Sequence, residues 1–140
     1  MSALIPYALT LALTPYQWGG ESPLTGLDCS GLVQELLRSV GMDPPGDQSA
    51  QDLYSYFIKN SLMVSKTDLG ALIFFGTSVT SITHVAMALN EYQMIEAGGG
   101  GRDTLSPQIA AAHNAFVRIR PISNRKDMLA IVMPRYPFPL

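Results

Sequence analysis

The chain holds one cysteine, Cys29, and two histidines, His84 and His113. Residue type alone leaves Cys29 two roles, a small buried hydrophobe or a reactive thiol. Its surroundings bear on the choice. Asp28 precedes apolar positions Leu32, Val33, Leu36, Leu37 and Val40 at helical spacing, and Gly41 supplies a stop. That pattern predicts a helix opening at Cys29 with Asp28 as its N-cap. Unpaired backbone N–H groups and the positive end of the helix dipole would stabilise a thiolate there. A histidine brought alongside would hold it as an ion pair and later protonate a leaving amine. His84 stands at the head of an apolar stretch and suits that part, whereas His113 lies in a polar stretch and does not. Asp28 acts against a thiolate unless its carboxylate is engaged elsewhere. Spacing alone does not establish the pair.

A lone cysteine excludes an internal disulfide framework, and two histidines all but exclude a four-ligand zinc site rich in Cys and His. No metal or organic cofactor is implied. The net charge is −2, with 9 basic and 11 acidic residues and no basic cluster of the kind that tracks phosphates, so nucleic acid is not an expected partner. With 47% hydrophobic and 14% charged residues, the composition is that of a folded protein rather than a disordered chain. A length of 140 residues fits one domain spanning 1–140.

The elements that must position these groups follow from pattern. Residues 3–14 read as a helix ending before Pro15, because the residue ahead of a proline avoids helical angles. Residues 15–28 hold glycines and Pro23 and read as loop. A proline-rich turn at 43–47 leads into a short helix over 48–59. Residues 71–75 form an apolar run with two phenylalanines, the composition of a buried strand. Residues 84–89 and 93–97 read as two further strands joined by a tight turn at Asn90-Glu91-Tyr92. In 116–120 apolar and basic residues alternate, the mark of a half-buried strand with Arg118 and Arg120 on its solvated face. Residues 128–133 supply a last apolar run. Helices first and strands afterwards predict an α+β domain, N-terminal helices packed on a mainly antiparallel sheet.

The strings Pro15-Tyr16-Gln17-Trp18-Gly19-Gly20 and Asp28-Cys29-Ser30-Gly31-Leu32-Val33 resemble the signature of the NlpC-type family of papain-like cell-wall peptidases. The resemblance continues through Gln48-Ser49-Ala50-Gln51, residues 70–75 and Thr83-His84-Val85-Ala86, in the family's order. It implies a papain-like fold, a cysteine endopeptidase of bacterial peptidoglycan stem peptides, Cys29 as nucleophile and His84 as base. Family members most often cut between D-glutamate and diaminopimelate or lysine. A third polar residue, commonly His and sometimes Asn or Gln, lies on the next strand and falls here on Glu96. The residue type departs from the usual pattern, yet a carboxylate also orients an imidazole and stabilises its cation. Tyr16, Asp28 and Ser30 match positions that line the site and hold the free amino end of a stem peptide. Residues 95–101 and 114–120 look like those of short members carried by bacteriophages, which makes phage tail proteins candidate partners.

Each of these residues also has a plainer reading. Asp28 serves as an N-cap, Ser30 as a first-turn helix residue, Glu96 as a surface carboxylate, Tyr16 and Trp18 as packing. The run Gly98-Gly99-Gly100-Gly101 is either a flexible loop or a site wall that admits a peptide backbone. A papain-like amidase or acyltransferase, and a non-catalytic phage tail module, are the rival functions. Residues 3–13 are apolar, but the first cation is Arg38, Pro6 and Thr10 interrupt the run, and a span needs about 20 residues. The expectation is a packed first helix, no signal peptide and no membrane span, with delivery to the wall by a virion or a partner.

Overall fold

Capping chemistry sets where the helices start. Asp28 accepts from the Gly31 amide and opens α2 (Cys29–Ser39). Ser49 and Asp52 form a reciprocal capping box at the head of α3 (Ala50–Asn60), two residues later than the expected start. Helix α1 (Leu4–Leu11) carries Pro6 in its first turn, where a missing N–H costs nothing. It ends earlier than expected, because Leu13 takes a left-handed φ of 70° and the chain leaves the helical path.

The computed structural model describes residues 3–137 and 139–140. Among the described residues, the strands are β1 (Glu21–Ser22), β2 (Gly26–Leu27), β3 (Ser61–Val64), β4 (Leu72–Ser78), β5 (Ser81–Ala88), β6 (Gln93–Gly98), β7 (Phe116–Pro121) and β8 (Met128–Pro134). A fourth helix, α4 (Pro107–Ala112), lies between β6 and β7. Strands β1 and β2 form a small ribbon inside the stretch expected to be loop. The other six make one sheet, in the order β3-β8-β4-β5-β6-β7, and every neighbouring pair is antiparallel. The α+β architecture is therefore as expected, with β3, α4 and the ribbon added.

Helices α2 and α3 cover one face of the sheet. Leu32, Leu36, Leu53 and Phe57 pack there against Phe74, Val85, Met87 and Ile95. Fully burying a side chain of this size contributes roughly 1.5–3 kcal/mol. The other face holds a smaller cluster of Ile73, Phe75, Ala86, Ala88 and Met94, with Ile122 packed against it. Burial on both faces explains why residues 71–75 show no alternation.

Two details of the sheet position the site. Pairing between β5 and β6 covers only Met87↔Ile95 and Ala88↔Met94, so the strands part toward His84 and Gly98. Along the outer edge of β7, the Leu13 amide donates to the Val117 carbonyl at 2.7 Å and the Tyr16 amide to the Ala115 carbonyl at 3.1 Å. That edging brings Tyr16 alongside the sheet. Among the described residues, no helix is long and apolar enough to cross a membrane.

Candidate active site

Cys29 is the first residue of α2, half-buried at a helix N-terminus. The start of this helix is held rigidly by the Asp28 carboxylate. Oδ1 accepts from the Gly31 amide at 2.7 Å and the Ser30 hydroxyl at 3.2 Å, and Oδ2 accepts from the Gly19 amide at 3.0 Å. Burial raises the Asp28 pKa, and these three donors act against the rise. The carboxylate is thus engaged away from the thiol. Gly31 is required here, because a Cβ would meet the Gly20 carbonyl oxygen at 2.0 Å.

His84 sits on β5 directly across from Phe75 of β4, their rings 5.4 Å apart. It is buried, at 6% exposure. Its Nε2 donates to Glu96 Oε1 at 2.7 Å, across the gap where β5 and β6 have stopped pairing. The Cys29 thiol lies close enough to the ring to raise its pKa. With Nε2 committed to Glu96, Nδ1 is the nitrogen left for sulfur. Burial of the ring pulls its pKa down, but the Cys29 and Glu96 contacts and charges outweigh this and lift it to about 9.

Glu96 is 3% exposed. Burial alone would raise its pKa; the hydrogen bond and charge of His84, with help from Arg120 and Arg125, hold it below the usual carboxylate range. Arg120 Nε lies 3.5 Å from Glu96 Oε2. This corrects the reading of Arg120 as part of a solvated face. Pairing Glu96↔Arg118 puts β7's basic residues over Glu96, and Arg120 turns toward it while Arg118 bonds the Asn114 carbonyl. A register between strands is what decides this, and the alternating pattern of 116–120 could not contain it. Arg125 lies over the Phe75 ring, 4.8 Å from its centre, and is pinned by Asp127.

In front of the thiol lies a cleft of about 540 Å³. Tyr16, Asp28, Cys29 and Ser30 all line it, so the three residues expected to bind substrate converge on the thiol's cleft. Tyr16 is nearly buried, and burial, then nearby Cys29 and Asp28, keep its hydroxyl protonated. Of the core or loop packing expected for Trp18, the core is excluded: the side chain is half-exposed on the cleft wall. Asp47 and Arg102 also line the cleft and were not anticipated. No periodic signal marks them, since both come from connecting loops. His113 is elsewhere, at the C-cap of α4 with Nδ1 3.4 Å from Thr104 Oγ1.

Gln51 ties the site together from α3. Its Nε2 donates to the Val79 carbonyl and its Oε1 accepts from the Ile82 amide, both at 2.9 Å. The clamp fixes the start of β5, two residues before His84.

A thiol on a helix N-terminus packed against a six-stranded antiparallel sheet that carries the imidazole is the architecture of the papain-like class of α+β proteins, with a carboxylate here in the third place. Residues 13–120 match the NlpC/P60 family, and the chain belongs to it. It is 36% identical over 89 residues to the bifunctional muramidase/DL-endopeptidase CwlT of Bacillus subtilis, covering 62% of this chain and 26% of that one. It is 36% identical over 85 residues to a gamma-D-glutamyl-L-lysine dipeptidyl-peptidase of Bacillus cereus, covering 58% of this chain and 23% of that one. The chain thus spans about a quarter of these relatives' length. The crystal structure of the NlpC/p60 domain of the peptidoglycan hydrolase SagA superposes with a TM-score of 0.68 at 27% identity, over 93% of this chain and 95% of that one.

Proposed function

We propose that the protein is a cysteine endopeptidase of bacterial peptidoglycan stem peptides, cutting the bond that links a D-glutamyl residue to diaminopimelate or lysine. The observation that carries this reading is the Cys29–His84–Glu96 line, a thiol against an imidazole whose second nitrogen is held by a buried carboxylate at 2.7 Å. Cys29 Sγ gives its proton to His84 and attacks the glutamyl carbonyl carbon. The oxyanion is met by the Cys29 backbone N–H, with the protonated Tyr16 hydroxyl as a second donor. The C–N bond breaks as the His84 imidazolium passes its proton to the leaving amine, and a thioester remains on sulfur. Water, deprotonated by His84, then hydrolyses the thioester and restores the thiol. Glu96 keeps the ring in place and offsets its charge in both steps.

The substrate's free amino end is assigned to Tyr16, Asp28 and Ser30, with Asp47 adding a second negative charge in the same cleft. The test is mass spectrometry of purified muropeptides digested by the full chain, with Cys29→Ala as control. Release of dipeptides ending in glutamate, absent from the control, is the expected result. Binding without new fragments would refute hydrolysis and favour a module that only holds the wall.

A further inference from the structure

We infer that Arg102 is a specificity-determining residue that receives a carboxylate carried by the substrate beside the scissile bond; this rests on the reading of the protein as a stem-peptide endopeptidase. Arg102 lines the same cleft as Cys29 and is exposed. It sits at the second position of the turn Gly101-Arg102-Asp103-Thr104, closed by the Thr104 amide donating to the Gly101 carbonyl at 2.9 Å. The turn is pinned rather than loose. Thr104 is fully buried, its Oγ1 accepts from the Gly101 amide at 3.1 Å, and its carbonyl accepts from the Trp18 amide at 2.7 Å. Just ahead of the turn, a Cβ on Gly100 would lie 2.2 Å from the Tyr16 ring, so the backbone rests directly on a cleft residue.

The charges of the cleft are uneven. Asp28 and Asp47 are its acids and Arg102 its single cation among the described residues. Arg38 is paired with Glu35 and Asp43, Arg120 with Glu96 and Arg125 with Asp127, but Arg102 forms no ion pair among the described residues. A guanidinium presented on a fixed turn, with its donors free, is suited to bidentate capture of a carboxylate. Stem peptides offer one where it is needed. A glutamyl residue linked through its γ-carboxyl keeps a free α-carboxylate a few bonds from the carbonyl that Cys29 attacks, and amidation of that group removes its charge.

The experiment compares two synthetic stem peptides that differ only there, one with the free α-carboxylate and one with its amide. The full chain should prefer the carboxylate by about tenfold in kcat/KM, the size of one charge-assisted contact at a partly open site. In Arg102→Ala that preference should fall to about 1, and Arg102→Lys should keep part of it. No preference in the wild type, or the same preference in Arg102→Ala, would overturn the assignment. Calorimetry of both peptides with Cys29→Ala and with Cys29→Ala/Arg102→Ala reads the same ratio without turnover. If neither peptide is cleaved, the endopeptidase reading fails, and the binding ratio still upholds or overturns Arg102.

Discussion

Replacing Glu96 by Gln keeps the shape and one acceptor but removes the charge behind His84. In the folded protein the His84 pKa is lifted from its ordinary 6.5 to about 9, against the downward pull of burial and with Glu96 among the causes. The protonated ring is the acid that the leaving amine needs, so activity should hold through neutral pH and fall as pH rises through about 9. A hydrogen bond to a charged group contributes roughly 1.5–3 kcal/mol. With each pKa unit equal to about 1.36 kcal/mol, losing that contribution moves the alkaline limb down by roughly 1–2 pH units. Both partners are buried, so solvent screening takes little away. The assay is the pH dependence of kcat/KM on a soluble muropeptide for wild type, Glu96→Gln and Glu96→Ala. The limb should shift downward in Gln, and Ala should also lose roughly 10²–10⁴-fold at the optimum, since the ring is no longer oriented. An alkaline limb that stays at the wild-type pH in Glu96→Gln would refute the electrostatic argument. An unchanged rate and profile in Glu96→Ala would remove Glu96 from the machinery.

Iodoacetamide should label Cys29 and abolish turnover, and Cys29→Ala should abolish it without moving the thermal midpoint by more than a few degrees, which circular dichroism checks. Gly31→Ala forces a Cβ within 2.0 Å of the Gly20 carbonyl oxygen, so denaturant unfolding should show a loss of about 1–3 kcal/mol, with activity falling as α2 shifts. Gln51→Ala removes the bonds to the Val79 carbonyl and the Ile82 amide, which should cost about 0.5–1.5 kcal/mol by the same measurement and lower kcat more than it raises KM. Stem peptides with a free N-terminal L-alanine should be cut faster than stems still joined to sugar; equal rates would detach Tyr16, Asp28 and Ser30 from recognition of the amino end.

Helix α2 is legible in the sequence because several signals coincide there. Asp28 caps it, five apolar residues keep its period, and Gly41 stops it. Strands β4 to β6 are legible from apolar runs bounded by glycine and a tight turn. Strand β3 is not, because its four residues are held by pairing with β8 and show no alternation of their own. Helix α4 carries a readable start, Ser106 capping and Pro107 in the first turn, but it is only six residues long. In the site, Cys29 and His84 stand out by residue type. Glu96 is reached only through the family resemblance, since its meeting with His84 depends on how two strands lie together. Arg120 and Arg102 are invisible for the same reason at longer range: one is placed by strand register, the other by a turn packed on Tyr16.

The parting of β5 and β6 has a mechanical side. Below Met87↔Ile95 the two strands exchange no backbone pairs, and the His84–Glu96 bond is the cross-link that spans them. The site is the last stitch of a seam, and cutting it frees cloth as well as thread. Substitutions at 84 or 96 should therefore raise hydrogen exchange at the Val85 and Ala97 amides, and loss of activity in such variants combines missing chemistry with a looser fabric around the thiol.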